Sequence, residues 1–122
     1  MSKTKTYFTD SHEWIAADGT VGITQYAQSE LGEIVAIELP KVGQMVRLGD
    51  EVVVLESTKA AADVYAPVSG RVIKINEELA KTPDLINRAP ESSGWLFQLE
   101  CSDPHEFNRL MTLAEYVALI EQ

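Results

Sequence analysis

EVVVLESTKAAADVYAPVSG, residues 51–70, is the stretch whose reading decides the fold. Glu51 to Leu55 is an apolar run of strand length, and a second apolar run resumes at Val64 to Ala66 before Pro67 closes it. Between them lies a short polar and small-residue segment, Ser57-Thr58-Lys59-Ala60-Ala61-Ala62. That pattern predicts two strands with Lys59 at the tip that joins them. A lysine there points into solvent, its small neighbours leave the amine open, and a rigid scaffold holds its root while the side chain stays mobile. On these features alone the plainer reading, an ordinary exposed lysine in a turn, stands ahead of any special role.

Short strands with turn signals continue outward on both sides. Upstream, His12 to Ile15 and Val21 to Ile23 are separated by Asp18-Gly19, a dipeptide suited to a tight hairpin. Thr24 can cap a short helix in which Ala27 and Leu31 share a face and Gly32 provides the stop. Ile34 to Leu39 is nearly all apolar, as expected for a strand covered on both faces or lying at a barrel seam. Gln44 to Leu48 is a short strand between glycines. Downstream, Arg71 to Asn76 and Trp95 to Leu99 read as strands, with Ile73 and Ile75 alternating against Arg71, Val72 and Lys74. Asn76 can cap Glu77-Glu78-Leu79, and Thr82-Pro83-Asp84 opens another short turn with proline first. Asp103 to Glu106 and Thr112 to Glu115 both have capping-box spacing, and Leu113, Tyr116, Val117 and Ile120 form one apolar stripe on a C-terminal helix. That helix is expected to pack on the β core; a partner-binding face is the sharper alternative. The fold class is therefore mainly β, a small sandwich or flattened barrel edged by short helices and a C-terminal helix.

Composition narrows the function. The 122 residues fit one domain, 1–122, which can bury roughly two-thirds of its unfolded surface. Nineteen acidic against ten basic residues give a net charge of −9, which repels phosphate backbones and anionic membranes and favours partners with basic patches. The acidity also reads simply as a solubility device. A single cysteine, Cys101, excludes an internal disulfide framework. The opening MSKTKTYFTDSH has no apolar segment of the secretory kind, and no run is long enough to span a membrane, so a cytoplasmic location is expected. Cys101 and His105 are too few for a metal site, His12-Glu13-Trp14 lacks the second histidine of a zinc-protease motif, and neither a nucleophile elbow nor a phosphate-binding glycine loop is present. Trp14 and Trp95 are expected as core or rim aromatics.

The segment Glu56 to Gly70, ESTKAAADVYAPVSG, resembles the lipoylation segment of the glycine cleavage H proteins. Ser11 to Ile15 (SHEWI), Val21 to Pro40 (VGITQYAQSELGEIVAIELP), Val42 to Asp50 (VGQMVRLGD) and the pair Gly94-Trp95 follow in the family's order and spacing, so the resemblance runs from about Tyr7 to the C-terminal helix. It implies a lipoyl/biotinyl-like fold built of hairpins, with lipoate in amide linkage on Lys59. It implies a shuttle that moves an aminomethyl group from glycine decarboxylase, a pyridoxal-phosphate enzyme, to aminomethyltransferase and is reoxidised by dihydrolipoamide dehydrogenase. Such a protein is a carrier served by lipoylating enzymes and not an enzyme itself, and its rounds of partners suggest a monomer. The resemblance places Ser11, Glu13 and Asp63 in a cleft that receives the arm, where carboxylates suit a protonated amine. Glu56 and Ala60 flank the target lysine as recognition residues for the lipoylating enzyme. Gly43 and Gly70 are turn formers.

One departure stands out: Arg88-Ala-Pro-Glu-Ser-Ser93 precedes Gly94-Trp95, with Glu91 where the family often has tyrosine, which puts partner contacts of that loop in question. Other readings are an H-like protein acting mainly as a lipoyl or octanoyl donor or in another lipoyl-dependent modification, a biotinyl domain, and a module of a 2-oxoacid dehydrogenase. Biotin sites generally carry methionines beside the lysine, where Thr58 and Ala60 stand here, and the dehydrogenase modules lack the SHEWI opening and the C-terminal helix.

Overall fold

Alternation of apolar side chains builds two antiparallel sheets that face one another, seen in a computed structural model that describes residues 5–121. The reading of the N-terminal stretch also took in residues 1–4, which lie outside the described residues. Among the described residues nine strands occur in the order β1 (Thr6–Phe8), β2 (Glu13–Ala16), β3 (Thr20–Ile23), β4 (Ile34–Glu38), β5 (Met45–Val46), β6 (Glu51–Ser57), β7 (Ala61–Tyr65), β8 (Gly70–Ile75) and β9 (Phe97–Cys101). The helices are α1 (Gln25–Leu31), α2 (Glu78–Lys81), α3 (Leu85–Arg88) and α4 (Leu113–Ile120), with a 3₁₀ segment at Pro104–Arg109. The larger sheet runs β1-β2-β3-β9-β8-β5 and the smaller β4-β6-β7.

Their inner faces meet in one core. Ile15, Val21, Ile23, Val72, Phe97 and Leu99 come from the larger sheet, Val53, Leu55 and Val64 from the smaller, and Leu79 and Ile86 plug it from α2 and α3. Ile15 faces that core, so its neighbour Trp14 must face outward. There Trp14, Phe8, Ala16 and Tyr116 form a second cluster, with Leu119 and Ile120 of α4 laid over it. The C-terminal helix thus packs on the sheet as expected, and its capping box is complete, with Thr112 accepting from Glu115 N and Glu115 accepting from Thr112 N.

Several local expectations shift. Ile34 to Leu39 is not covered on both faces: β4 is an edge strand, Val35 is 50% exposed and only Ile34 is fully buried. Within Gln44 to Leu48 the strand is only Met45–Val46, and the strand expected at Trp95 to Leu99 forms at Phe97–Cys101 because Trp95 is tied into the preceding turn through Ser92 O. In β8 a register shift between Val72 and Lys74 turns Val72 inward and leaves Ile73 exposed. Asn76 does not cap α2; its side chain donates to Ser93 O and Trp95 O. Pro83 precedes α3 and does not occupy its first position. Asp103 accepts from His105 N as a cap, but Glu106 does not close a box, because its carboxylate accepts from Ser69 N and Ser69 Oγ. In the α4 stripe Leu113 is 60% exposed and Leu119 takes its place against the sheet.

Candidate functional site

β6 and β7 form the hairpin around Lys59, with Leu55 opposite Ala62 and Glu56 opposite Ala61. Ser57 closes the turn: its amide donates to Ala60 O at 2.8 Å, and its hydroxyl accepts from Lys59 N and Ala60 N at 3.1 Å each. Thr58 N donates to Glu33 O at 3.0 Å, tying the tip to the corner between α1 and β4. Lys59 is exposed and has no ion pair among the described residues. Lys59 is thus held at its backbone while its side chain stays exposed.

Beside the hairpin lies a cleft of about 280 Å³ along the open edge of β7. The structure brings Ser11, Glu13 and Asp63 together in its lining, with α1 forming the facing wall through Tyr26, Ala27, Glu30 and Leu31. Ile23, Leu55 and Val64 make the floor apolar. Asp63 and Glu30 are exposed, whereas Glu13 is 2% exposed. Glu13 survives that burial because both carboxylate oxygens are hydrogen-bonded, with one acceptor site of Oε2 still open: Thr9 Oγ1 and Ser11 Oγ donate to Oε1, the latter at 2.7 Å, and Tyr65 N donates to Oε2 at 3.2 Å. It therefore terminates the edge of β7 as well as lining the cleft. Among the described residues none of Glu13, Glu30 and Asp63 has a cationic partner, so the cleft presents uncompensated negative charge.

Glu56 and Ala60 fall elsewhere. Glu56 borders a shallow depression with Ala36, Glu38 and Val54, on another part of the small sheet, and Ala60 is exposed in the turn itself. Both flank Lys59 without entering the cleft. A larger hollow of about 400 Å³ shares Ser11 and Glu13 but is bounded by Leu48, Tyr65 and Arg109, with no residue of α1 in its wall.

Sequence reasoning missed Thr9, His12, Tyr26 and Glu30. The helical signal for the last two was present, since Tyr26 and Glu30 are four apart beside the stripe of Ala27 and Leu31. His12 gave none: it sits at φ 73°, fixed by hydrogen bonds from His12 N to Thr9 O and from Thr24 N to His12 O. Its ring packs 4.8 Å from that of Tyr26, and Nδ1 is 2.8 Å from Tyr116 Oη. Tyr116 Oη also pairs with Thr24 Oγ1 at 2.7 Å, and Thr24 Oγ1 caps α1 by accepting from Ala27 N. Burial pushes the Tyr116 phenol above its ordinary range, opposed by the hydrogen bond to Thr24 and reinforced by nearby Glu91, Tyr26 and Glu13.

The departure at Glu91 has a structural explanation. Its carboxylate accepts from Gln25 N at 2.8 Å, serving the first turn of α1, which has no acidic residue of its own. Among the described residues no group of three or more His, Cys, Asp or Glu side chains comes together as potential metal ligands. Burial raises the Cys101 thiol, with Glu106 and Asp18 adding repulsion. No helix among the described residues is long and apolar enough to cross a membrane.

Comparison with known proteins agrees with this geometry. The family model described as "Glycine cleavage H-protein" matches residues 6–122. A glycine cleavage system H protein of Deinococcus deserti is 52% identical over 108 residues, 88% of each chain. One from Parvibaculum lavamentivorans is 48% identical over 117 residues, 93% of this chain and 94% of that one. The crystal structure of a glycine cleavage system H protein from Mycobacterium marinum superposes with a TM-score of 0.89 at 32% identity, covering 99% of this chain and all of the other. With a rooted lysine, an acidic cleft beside it and relatives matched along nearly their whole length, the chain belongs to the glycine cleavage H-protein family.

Proposed function

We propose that this chain is the lipoyl-carrying shuttle of a glycine cleavage system, with lipoate amide-linked to Lys59 and residues 1–122 acting as one monomeric carrier unit in the cytoplasm. The observation that carries this reading is the pairing of an exposed, backbone-anchored Lys59 with a cleft whose floor is apolar and whose lining includes three carboxylates, Glu13, Glu30 and Asp63. The residues present suit the group: Ile23, Ala27, Leu31, Leu55 and Val64 match an aliphatic chain, and Glu13, Asp63 and Glu30 match an amine at its end. When bound, lipoate supplies a disulfide that takes up the aminomethyl unit and a dithiol that is afterwards reoxidised.

The chain's own residues do the rest. Ser57 and the Thr58–Glu33 hydrogen bond hold the root of the arm still. Glu13, Ser11 and Asp63 hold the protonated amine of the cargo by charge-assisted hydrogen bonds, and the apolar floor keeps water from its carbon. Glu56 and Ala60, beside the lysine but outside the cleft, remain free for the lipoylating enzyme to read. The acidic surface favours glycine decarboxylase, aminomethyltransferase and dihydrolipoamide dehydrogenase that present basic rims.

Reconstitution with those three enzymes tests the reading. Lipoylated chain should support glycine-dependent NADH formation and the Lys59→Ala variant should give none. Failure of the wild-type chain in that assay, while it still donates lipoyl groups to other acceptors, would favour the donor role instead.

A further inference from the structure

The side chain of Lys59 does not hang free of the hairpin. A Cβ added at Gly32 would lie 3.2 Å from Lys59 Cε, 3.7 Å from Cδ and 3.8 Å from Nζ, so the lysine stem lies across the bare face of this glycine. Gly32 immediately follows Leu31, and Leu31 and Glu30 form part of the cleft wall. Its backbone, at φ 82° and ψ −161°, occupies a region that side-chain-bearing residues essentially avoid. The conformation therefore disfavours any other residue here, and an added Cβ would press on the lysine stem and shift it by a few tenths of an ångström.

Asn87 of α3 holds this corner in place. Its Nδ2 donates to Gly32 O at 2.8 Å and to Gln28 Oε1 at 3.0 Å, while its Oδ1 accepts from Ile34 N at 2.8 Å. The residue between, Glu33, accepts from Thr58 N at the hairpin tip. One side chain thus brackets residues 32–34, of which Gly32 lies beneath the lysine and Glu33 holds the hairpin tip. Neighbouring Ile86 is fully buried in the core, so Asn87 projects from a fixed base.

We propose that Gly32 and Asn87 form a saddle that sets the direction in which the Lys59 arm leaves the hairpin, turning it over the C-terminal end of α1 toward the cleft. They are positioning residues: neither holds the cargo, and both act through the path of the lysine stem. The saddle's service to a lipoyl arm rests on the carrier reading above; its hold on the lysine does not.

Two measurements test the saddle. In unlipoylated protein, NMR should show nuclear Overhauser effects between the δ and ε protons of Lys59 and the α protons of Gly32. Asn87→Asp, which replaces the donor facing Gly32 O with an acceptor at constant shape, should abolish them; Gly32→Ala should change the lysine's neighbours. In lipoylated protein, checked by mass and loaded with aminomethyl cargo, Asn87→Asp should release ammonia about tenfold faster, the change expected for roughly 1.4 kcal/mol of lost docking. Should Gly32→Ala fail to fold, Asn87→Asp decides alone. Absence of the effects in wild type, or a loss of thermal stability in Asn87→Asp with unchanged effects and unchanged ammonia release, would overturn the proposal. If the wild-type chain never accepts lipoate, the carrier reading fails, and the NMR comparison still decides whether the saddle holds the lysine.

Discussion

Glu13 combines two tasks that set different demands. As the acceptor for Thr9, Ser11 and the amide of Tyr65 it ends a sheet edge, and in the proposed carrier role its carboxylate in the cleft offers charge to the cargo's amine. Glu13→Ala should therefore shorten the life of the aminomethyl cargo, read as faster ammonia release, and also destabilise the fold by about 1–3 kcal/mol through the donors left unpaired. Asp63→Asn, at an exposed rim position, should affect cargo lifetime with little change in thermal stability; equal losses of stability in both variants would contradict this division. Cys101 provides a separate check, since burial and two nearby carboxylates raise its thiol. Its alkylation at pH 8 should be slower in the folded chain than in urea, because less thiolate is present.

Among the elements, α1 connects the cleft to the rest of the molecule. Thr24, Glu91 and Gly32 fix its two ends, and Tyr116 joins it to α4 through Thr24. Tyr116→Phe should cost about 1–2 kcal/mol of stability by leaving Thr24 and His12 without their phenol partner. The pH dependence has a definite sign. A phenol whose folded value is raised stays protonated in the native chain after the unfolded chain has lost its proton. Stability from this group is thus complete below pH 10 and lost as pH rises through the folded value. The phenylalanine variant should lack that alkaline component, and identical alkaline slopes in the two proteins would refute the assignment.

Element by element, local chemistry was legible where one residue decides the outcome: Thr24 and Gly32 bounded α1, Asp18-Gly19 turned β2 into β3, and Thr112 with Glu115 started α4. It was not legible where distant groups compete. Asn76 and Glu106 have the composition of caps, but each is drawn to a partner made available only by the fold, Trp95 O and Ser93 O in one case and Ser69 in the other. Of the two readings of β4 the doubly covered one failed, because an apolar run does not reveal whether its strand lies inside a sheet or at its edge. Val35→Thr should change stability by less than about 0.5 kcal/mol, whereas Leu55→Ala in the neighbouring strand should cost roughly 2–5 kcal/mol.

For the whole molecule, a charge of −9 and a cleft without cationic partners give encounters with basic-rimmed enzymes an electrostatic component. The apparent KM of glycine decarboxylase for the lipoylated chain should rise with ionic strength, most steeply up to about 0.1 M salt, where the screening length has fallen to roughly 10 Å. A flat response would mean that apolar contacts dominate the encounter. The site at this scale was legible only in part. The hairpin tip could be read from residues 51–70, but the cleft assembles Ser11, Glu13, Glu30 and Asp63 from three separated segments, and only the family resemblance brought three of them together in advance. Gly32 and Asn87 were hidden for a similar reason: each has an ordinary local explanation, as a helix stop and as a helix residue, until the fold sets Gly32 beneath Lys59 and Asn87 against Gly32.

The central claim is that Lys59 carries lipoate. Its most direct test is intact-mass measurement with peptide mapping after expression in a lipoylation-competent, lipoate-supplied host, beside the Lys59→Ala variant. The account predicts a single lipoyl mass increment located on Lys59 and absent from the variant. An unmodified chain, in cells that lipoylate another known acceptor, would contradict it.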